Sequence, residues 1–380
     1  QFNIFESKKS DLKVGGSVTI FPNGMRILRE IGVADKVVSH GACMEFARFS
    51  NQKGELIGYY SMGNKEIYGE PTITIQRSVL HNIILKKARS IGINVNFEKK
   101  LITLRQDEDC VSLEFEKNFF TKAKYVIGAD GIHSTVRDYV TSNKTLPKYS
   151  NQIYVGGFIT NKMIVDSFKL DVSTQYITVG SNSFFAYSIV DNIKQKNYSL
   201  FWYCYLHKDK HFSNQSLREY SNQIILSEVT HLHHNWHQPI SNLISNSQKI
   251  VKTNIYDILD IETWSDKRIL IIGDSSHAMN PISGQGASFA MEDAQMLTFL
   301  LKQRKDKVSN IFKKLEKIRS KRITPIAKKA RRSTKISSIK TSGQLQSIRD
   351  KLFAIKLKIT PERFYNRALR YNLNKKIITD

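Results

Sequence analysis

The sequence predicts an α/β fold: a ligand-binding unit interrupted by a mixed or antiparallel β-sheet and followed by C-terminal helices. Three observations predict it. Residues 269–272 are a continuous apolar run, as in a strand buried on both faces, and they lead through Gly273 and Asp274 into a Pro/Gly loop and a helix. Residues 125–131, ending Gly128-Ala129-Asp130-Gly131, repeat the pattern of a strand running into an acidic glycine turn. Between the two, residues 151–265 are rich in β-branched and aromatic residues with alternation, which predicts a sheet inserted into the α/β unit.

Asp274 stands at the carboxyl end of its strand, where α/β sheets place ligand-binding residues. Beyond it come Pro281, Gly284, Gln285, Gly286 and Ala287. Two glycines without Cβ atoms let the backbone approach a ligand closely. The helix that follows presents unpaired N–H groups and a partial positive charge, suited to a phosphate or an electron-rich carbonyl.

In chain order, Gln1–Glu6 reads as a short strand ending in an acid. In a dinucleotide-binding unit such an acid holds ribose hydroxyls about 20 residues after a Gly-x-Gly-x-x-Gly turn. No such turn occurs in the sequence, so the turn and its strand are expected upstream of Gln1. Taken alone, Glu6 is also an ordinary strand-end acid. Gly15 and Gly16 form a glycine turn ahead of Pro22-Asn23-Gly24, and Met25, Leu28 and Ile31 mark one face of a short helix stopped by Gly32. Arg77 closes a strand before a helix expected to be capped by Ser78, with apolar residues at 79, 80, 83, 84, 88 and 91. In the inserted sheet, Phe184, Phe185, Tyr187, Trp202 and Tyr203 concentrate aromatic surface. His231, His233, His234 and His237 have helical spacing that could bind zinc, but no Asp, Glu or Cys beside them completes a set, so no metal is expected.

The chain has 380 residues, room for two domains or one elaborated α/β unit, and a net charge of +24. Residues 301–380 hold 25 Lys and Arg against 5 Asp and Glu, so +20 of that charge lies in the last 80 residues. A solvated helix face is the plain reading; peripheral contact with an anionic surface is the other. Few aromatics interleave with these charges, so nucleic acid is not expected. Leu352, Phe353, Ile355 and Leu357 are expected to pack this segment against the body. Three widely spaced cysteines give no disulfide framework or thiolate metal site and suit a reducing compartment. No apolar run approaches the roughly 20 residues of a membrane helix, and a cytoplasmic location is expected.

The stretch Gly273-Asp274-Ser275-Ser276-His277, then Pro281, Gly284-Gln285-Gly286 and Glu292-Asp293-Ala294, resembles the second flavin-binding motif of the FAD-dependent aromatic-ring monooxygenases, which include salicylate and urate hydroxylases and zeaxanthin epoxidase. Ser275 and Ser276 replace two alanines of that pattern. Gly128-Ala129-Asp130-Gly131 with Ser134 and Arg137 resembles the family's Asp-Gly motif, Gly15-Gly16 its N-terminal glycine segment, and Arg77 with Leu80 its Arg-x-x-Leu motif. The resemblance covers nearly all of residues 1–375, strongly at 125–137 and 268–294.

The resemblance implies a glutathione-reductase-type FAD/NAD(P)-binding domain. Its first part is residues 1–150, without the N-terminal strand, turn and helix; 151–265 is the substrate sheet, 266–305 the second FAD part and 306–380 the basic helical segment. It implies FAD contacts at Glu6, Gly15, Gly16, Arg77, Asp130, Gly131, Gly273, Asp274, Pro281, Gly284, Gln285, Gly286 and Ala287, and substrate contacts at Tyr187, Trp202 and Tyr203. The implied activity is hydroxylation or epoxidation of an aromatic or apolar small molecule with O2 and NADPH or NADH, through a flavin C4a-hydroperoxide. A non-oxygenating flavin oxidoreductase and a flavin-free basic binding protein stay open beside it. Without the glycine turn, FAD is expected to be held poorly.

Overall fold

A computed structural model describes residues 2–9, 15–181, 183–195, 198–258, 261–303, 306–337, 343–359 and 366–373. The chain forms two units, each assembled from separated segments: 1–14, 81–150 and 256–332 in the first, and 15–80, 151–255 and 333–380 in the second. This division differs from the four consecutive segments that the sequence suggests. Residues 15–80 join the inserted sheet, and the basic segment is divided at Arg332.

In the first unit, Ile4–Phe5 pairs in parallel with Val95–Asn96. Phe5 packs on Phe115, 4.7 Å between ring centroids, from the antiparallel meander Leu101–Gln106, Val111–Phe115 and Phe119–Ala123. The strand Val126–Gly128 runs parallel to Ile269–Ile271, with Val126 opposite Ile269 and Gly128 opposite Ile271. Ile269, Leu270 and Ile271 are fully buried, as a strand covered on both faces requires. This parallel pairing places the Asp130-Gly131 turn beside the Gly273-Asp274 turn. Helix Gly286–Gln303 follows, then the 30-residue helix Val308–Ser337.

The second unit is built on a seven-stranded sheet. Its order is Lys249–Asp257, Lys148–Ile159, Leu200–His207, Phe184–Ile189, Thr174–Val179, Phe46–Asn51, Leu56–Ser61. The sheet is mixed: Thr174–Val179 pairs in parallel with Phe46–Asn51, and the other registered pairs are antiparallel. Side chains alternate between its faces. Ile153, Val155, Phe185, Tyr187, Ile189, Leu200, Trp202, Cys204 and Leu206 form the core with residues of helices Asn222–His233, Ile240–Ser245 and Gln344–Ile359. A smaller antiparallel sheet joins Ser17–Ile20, Thr72–Gln76 and Ala42–Met44. Helix Pro22–Glu30 buries Met25, Ile27 and Leu28, whereas Ile31 lies outside it and is 41% exposed; Gly32, at φ +73°, ends the turn. Helix Arg77–Ser90 begins at Arg77 itself, so Ser78 is not its cap.

Among the described residues no helix is long and apolar enough to cross a membrane. The expected packing of the basic segment holds for Phe353 and Leu357, but Leu352 and Ile355 are 62% and 52% exposed. They lie on the opposite side of their helix.

Candidate functional site

In the first unit the two acidic glycine turns are joined by Ser275. Its hydroxyl donates to Asp130 Oδ1 at 3.1 Å and accepts the Gly131 N–H at 3.1 Å. Asp130 also accepts from Ser134 Oγ at 2.5 Å and from the Val136 N–H at 3.1 Å. Ser134 caps helix Thr135–Val140 by accepting from the Arg137 N–H. Arg137 is buried and donates to the carbonyls of Ile132, at 2.9 Å, and Ser275, at 3.5 Å. Burial draws its guanidinium pKa below the ordinary value. Asp130 therefore spends its carboxylate on protein donors that shape the turn. Gly131 sits at φ +82° with open space where a side chain would stand.

Gly273 has φ +62° and ψ −142°, a conformation only glycine adopts readily. Its N–H donates to Asp293 Oδ2 at 2.9 Å. Asp274 starts a one-turn helix, Asp274–His277, instead of ending a simple turn. Its carboxylate is exposed and has no hydrogen-bond or ion-pair partner among the described residues. Asn280 caps the 3-10 turn Pro281–Ser283 by accepting from the Ile282 N–H at 3.1 Å, and Gly284 follows at φ +62°. Pro281 is exposed and Gln285 fully buried, while Gly284, Gly286 and Ala287 are partly exposed. A Cβ on Gly286 would meet only Asp274 Oδ1, at 3.9 Å.

Behind this surface lies an ion network that sequence reading missed. Asp293 Oδ2 pairs with His277 Nε2 at 2.6 Å, and Asp293 Oδ1 with Arg319 Nε at 2.6 Å. Arg319 also pairs with Glu292 at 2.7 Å, and Arg322 makes two 2.7 Å contacts with Glu292. The side chains of Arg319, Glu292 and Asp293 are fully buried. Burial alone would push the Asp293 carboxyl up; His277 and Arg319 outweigh it and hold it below its ordinary value. Glu316 of the same long helix accepts from the Trp264 N–H at 3.0 Å, and Arg331 pairs with Asp257. The reading of this basic segment as a solvated face is thus corrected for Arg319, Arg322 and Arg331. Arginines three apart in a charge-rich helix look like surface residues; only the matching acids, far off in sequence, distinguish them.

Glu6 turns inward on its own loop. Its Oε1 accepts from the Lys8 N–H at 2.8 Å and Ser7 Oγ at 3.2 Å.

In the second unit, Gly15 (φ +124°) and Gly16 lie against Arg77, whose N–H donates to the Gly16 carbonyl at 3.1 Å. A Cβ on Gly16 would come within 2.8 Å of the Phe201 ring, so the glycine permits this close approach. Phe201 belongs to the sheet face opposite the helix-covered core. Tyr154, Phe184, Tyr203 and Tyr205 share that face, with Tyr154 and Tyr203 stacked at 5.4 Å and Phe184 edge-on to Tyr205 at 4.7 Å. Burial pushes the Tyr203 hydroxyl up to about 12, and Gln175 Nε2 donates to it at 3.4 Å. Tyr203 thus stands, partly exposed, on the aromatic face opposite the helix-covered core, but the other two candidates do not. Trp202 is fully buried, stacked on Phe185 and donating to Ser247 Oγ at 2.7 Å; Tyr187 is 3% exposed and stacks on Tyr176. Both point into the helix-covered core, because neighbouring strand residues face opposite ways.

The four histidines do not converge on one point: His231 and His234 stack at 5.7 Å between ring centroids, and the other two turn elsewhere. His233 Nδ1 faces the Val229 carbonyl and His237 Nε2 faces Thr178 Oγ1. Among the described residues no cluster has the makeup of a metal site.

The first unit's residues suit FAD by their donors and acceptors. Asp274 offers an unused acceptor for a cofactor hydroxyl. Beside it, Gly286 leaves a gap that a Cβ would fill, at the start of an 18-residue helix. Asn280 Nδ2 and Ser288 Oγ are buried polar atoms without a protein partner. Residues 2–306 match the family described as FAD binding domain. The chain is 25% identical over 307 residues to 6-hydroxynicotinate 3-monooxygenase of Bordetella bronchiseptica, covering 80% of this chain and 77% of the relative. It is 23% identical over 354 residues to FAD-dependent urate hydroxylase of Klebsiella oxytoca, covering 90% and 86%. The fold matches the crystal structure of Klebsiella pneumoniae HpxO complexed with FAD and uric acid, with a TM-score of 0.77, 19% identity, and coverage of 96% and 87%. The chain belongs to the FAD-binding-domain family, and it is an FAD-dependent monooxygenase.

Proposed function

We propose that this enzyme hydroxylates a small aromatic substrate, with NADH or NADPH as reductant and O2 as co-substrate. The single observation that carries the reading is the exposed, unpartnered Asp274 carboxylate beside the open flank of Gly286. FAD, when bound, supplies the oxygen-activating chemistry; the protein supplies binding, orientation and exclusion of water. Asp274 accepts from a cofactor hydroxyl. Gly286 and Ala287 offer main-chain N–H groups at a positive helix end, while Gly284 and Gln285 donate theirs to the Pro281 carbonyl and Ser283 Oγ and, with Pro281, shape the loop. Gly273 sets the angle of Asp274, while Asp130 and Gly131 hold the neighbouring turn. Glu6, Gly15, Gly16 and Arg77 are proposed as cofactor contacts on their motifs.

For the substrate we propose the partly exposed rings of Tyr154, Phe184 and Tyr203, on the face that also carries the buried Phe201. Flat aromatic walls orient a planar ring, and the Tyr203 hydroxyl, protonated at neutral pH, supplies a hydrogen-bond donor. Tyr187 and Trp202 support this sheet from its other side. The three cysteines are free, which suits the proposed cytoplasmic location.

The test is Asp274→Ala, with bound flavin read from the visible spectrum. Losing a hydrogen bond to a charged acceptor, about 1.5–3 kcal/mol, predicts roughly ten- to hundredfold weaker FAD retention. Unchanged retention in a folded variant refutes the assignment of Asp274. NAD(P)H oxidation with product analysis, starting from urate and 6-hydroxynicotinate, tests the substrate class. Reductant consumption without oxygenated product across the aromatic panel counts against it.

A further inference from the structure

The helix Gln344–Ile359 of the second unit has two apolar sides, and only one is used. On the inner side Leu357 is buried against Gly58, and Phe353 meets Phe49 edge-on at 5.0 Å. Arg349 anchors the same helix by donating to the Gly180 carbonyl at 2.5 Å. On the outer side Leu345, Ile348, Leu352, Ile355 and Ile359 are all between 52% and 73% exposed. Their spacings of three, four, three and four residues place them in one stripe about 80° wide at 3.6 residues per turn. Lys351 and Lys358 border one edge of the stripe and Lys356 the other, all exposed. The one acid of the helix, Asp350, is paired with Arg349 at 2.7 Å.

A continuous stripe of large aliphatic side chains facing water marks an interaction surface. Its border says which kind. A second copy of the chain would set lysines against lysines, without the opposite charges that border a helix–helix seam. A nucleic acid would find no aromatic side chain in the stripe to stack on. We propose that Gln344–Ile359 docks on an anionic lipid bilayer. The helix lies in the interface, the five aliphatic residues enter the acyl boundary, and Lys351, Lys356 and Lys358 meet lipid phosphates. Residues 333–380 of the same unit carry 11 Lys and Arg against 3 Asp and Glu, and this net +8 adds long-range attraction. A peripheral membrane position would also bring apolar substrates to the enzyme from the lipid phase.

The experiment is co-sedimentation of the 380-residue chain with phosphatidylcholine vesicles, with and without phosphatidylglycerol. Binding is expected only with phosphatidylglycerol and should fall as salt rises. Leu352→Glu/Ile355→Glu and, separately, Lys351→Glu/Lys358→Glu should each weaken it by roughly tenfold or more. Thermal unfolding of both variants should match the parent, because the four residues are exposed. No binding to anionic vesicles, equal binding to neutral ones, or full binding by the Leu352→Glu/Ile355→Glu variant overturns the proposal. A concentration-dependent dimer abolished by that variant would identify a second copy as the occupant instead.

Discussion

The first unit buries charge where segment 273–293 meets helix Val308–Ser337: Glu292, Asp293 and Arg319 are sealed from water and held by one another. The large sheet of the second unit buries aromatic rings and a neutral histidine, His233, against Phe185 and Trp236. The two solutions should fail differently. A buried ion network collapses when one partner is lost, because the remaining charges cannot reach water. An aromatic core loses contacts in proportion to what is removed, and its sensitivity to pH comes from the one group that must stay neutral.

The largest expected effect is Arg319→Leu. It strands Asp293 and Glu292 and should cost about 3–5 kcal/mol of stability, measured by urea unfolding. Arg322→Leu should cost clearly less, because its side chain is 12% exposed and Glu292 keeps Arg319. Equal losses from both would show that pairing inside the buried network is not what makes Arg319 important.

The next largest is a difference in pH window. Burial lowers the pKa of His233 to about 4, below an unfolded value near 6.5. The neutral form is the one that folds. Its contribution is therefore complete above pH 6.5 and is lost as pH falls towards 4, up to about 3 kcal/mol. His237, also lowered by burial, adds in the same direction. Asp293, held below its ordinary value, keeps its contribution until pH falls below about 4. His133 in the first unit shares the histidine direction, but it is surface-exposed and should add little. Fluorescence of the second unit's Trp202 and Trp236 should thus report acid unfolding at higher pH than that of Trp264 in the first. His233→Gln should narrow the gap; an unchanged gap would remove His233 as its cause.

The smallest effect sharpens the role of the first unit's turns. Ser275→Ala restores the residue usual in the resembled motif and removes both the Asp130 and Gly131 contacts. A loss of about 1 kcal/mol is expected in thermal unfolding. No loss would mean that the parallel strand pair alone holds the two turns in register.

The site was legible where chemistry is local. Strand 269–271, the acidic turns at 130 and 274, and the glycine loop at 284–286 announce themselves within a few residues. Legibility faded where one residue of offset decides direction. The aromatic density at 184–203 was evident, yet Trp202 and Tyr203 face opposite sides of the sheet, and only pairing shows which side the helices cover. The same holds on Gln344–Ile359, where Leu352 and Phe353 are neighbours in sequence but only the second is packed.

By itself the sequence determined the α/β class, the flavin motifs, the inserted sheet and the concentration of positive charge at the C-terminal end. Each follows from residue spacing within a single element. Tertiary structure alone decided that strands Phe46–Asn51 and Leu56–Ser61 complete the large sheet, that Arg319 is a buried partner of Asp293 rather than a surface charge, and that Ser275 ties two turns 145 positions apart. These choices depend on which distant segments meet. Burial then reverses the meaning of a side chain, because a charge that is harmless in water must find its partner once water is excluded.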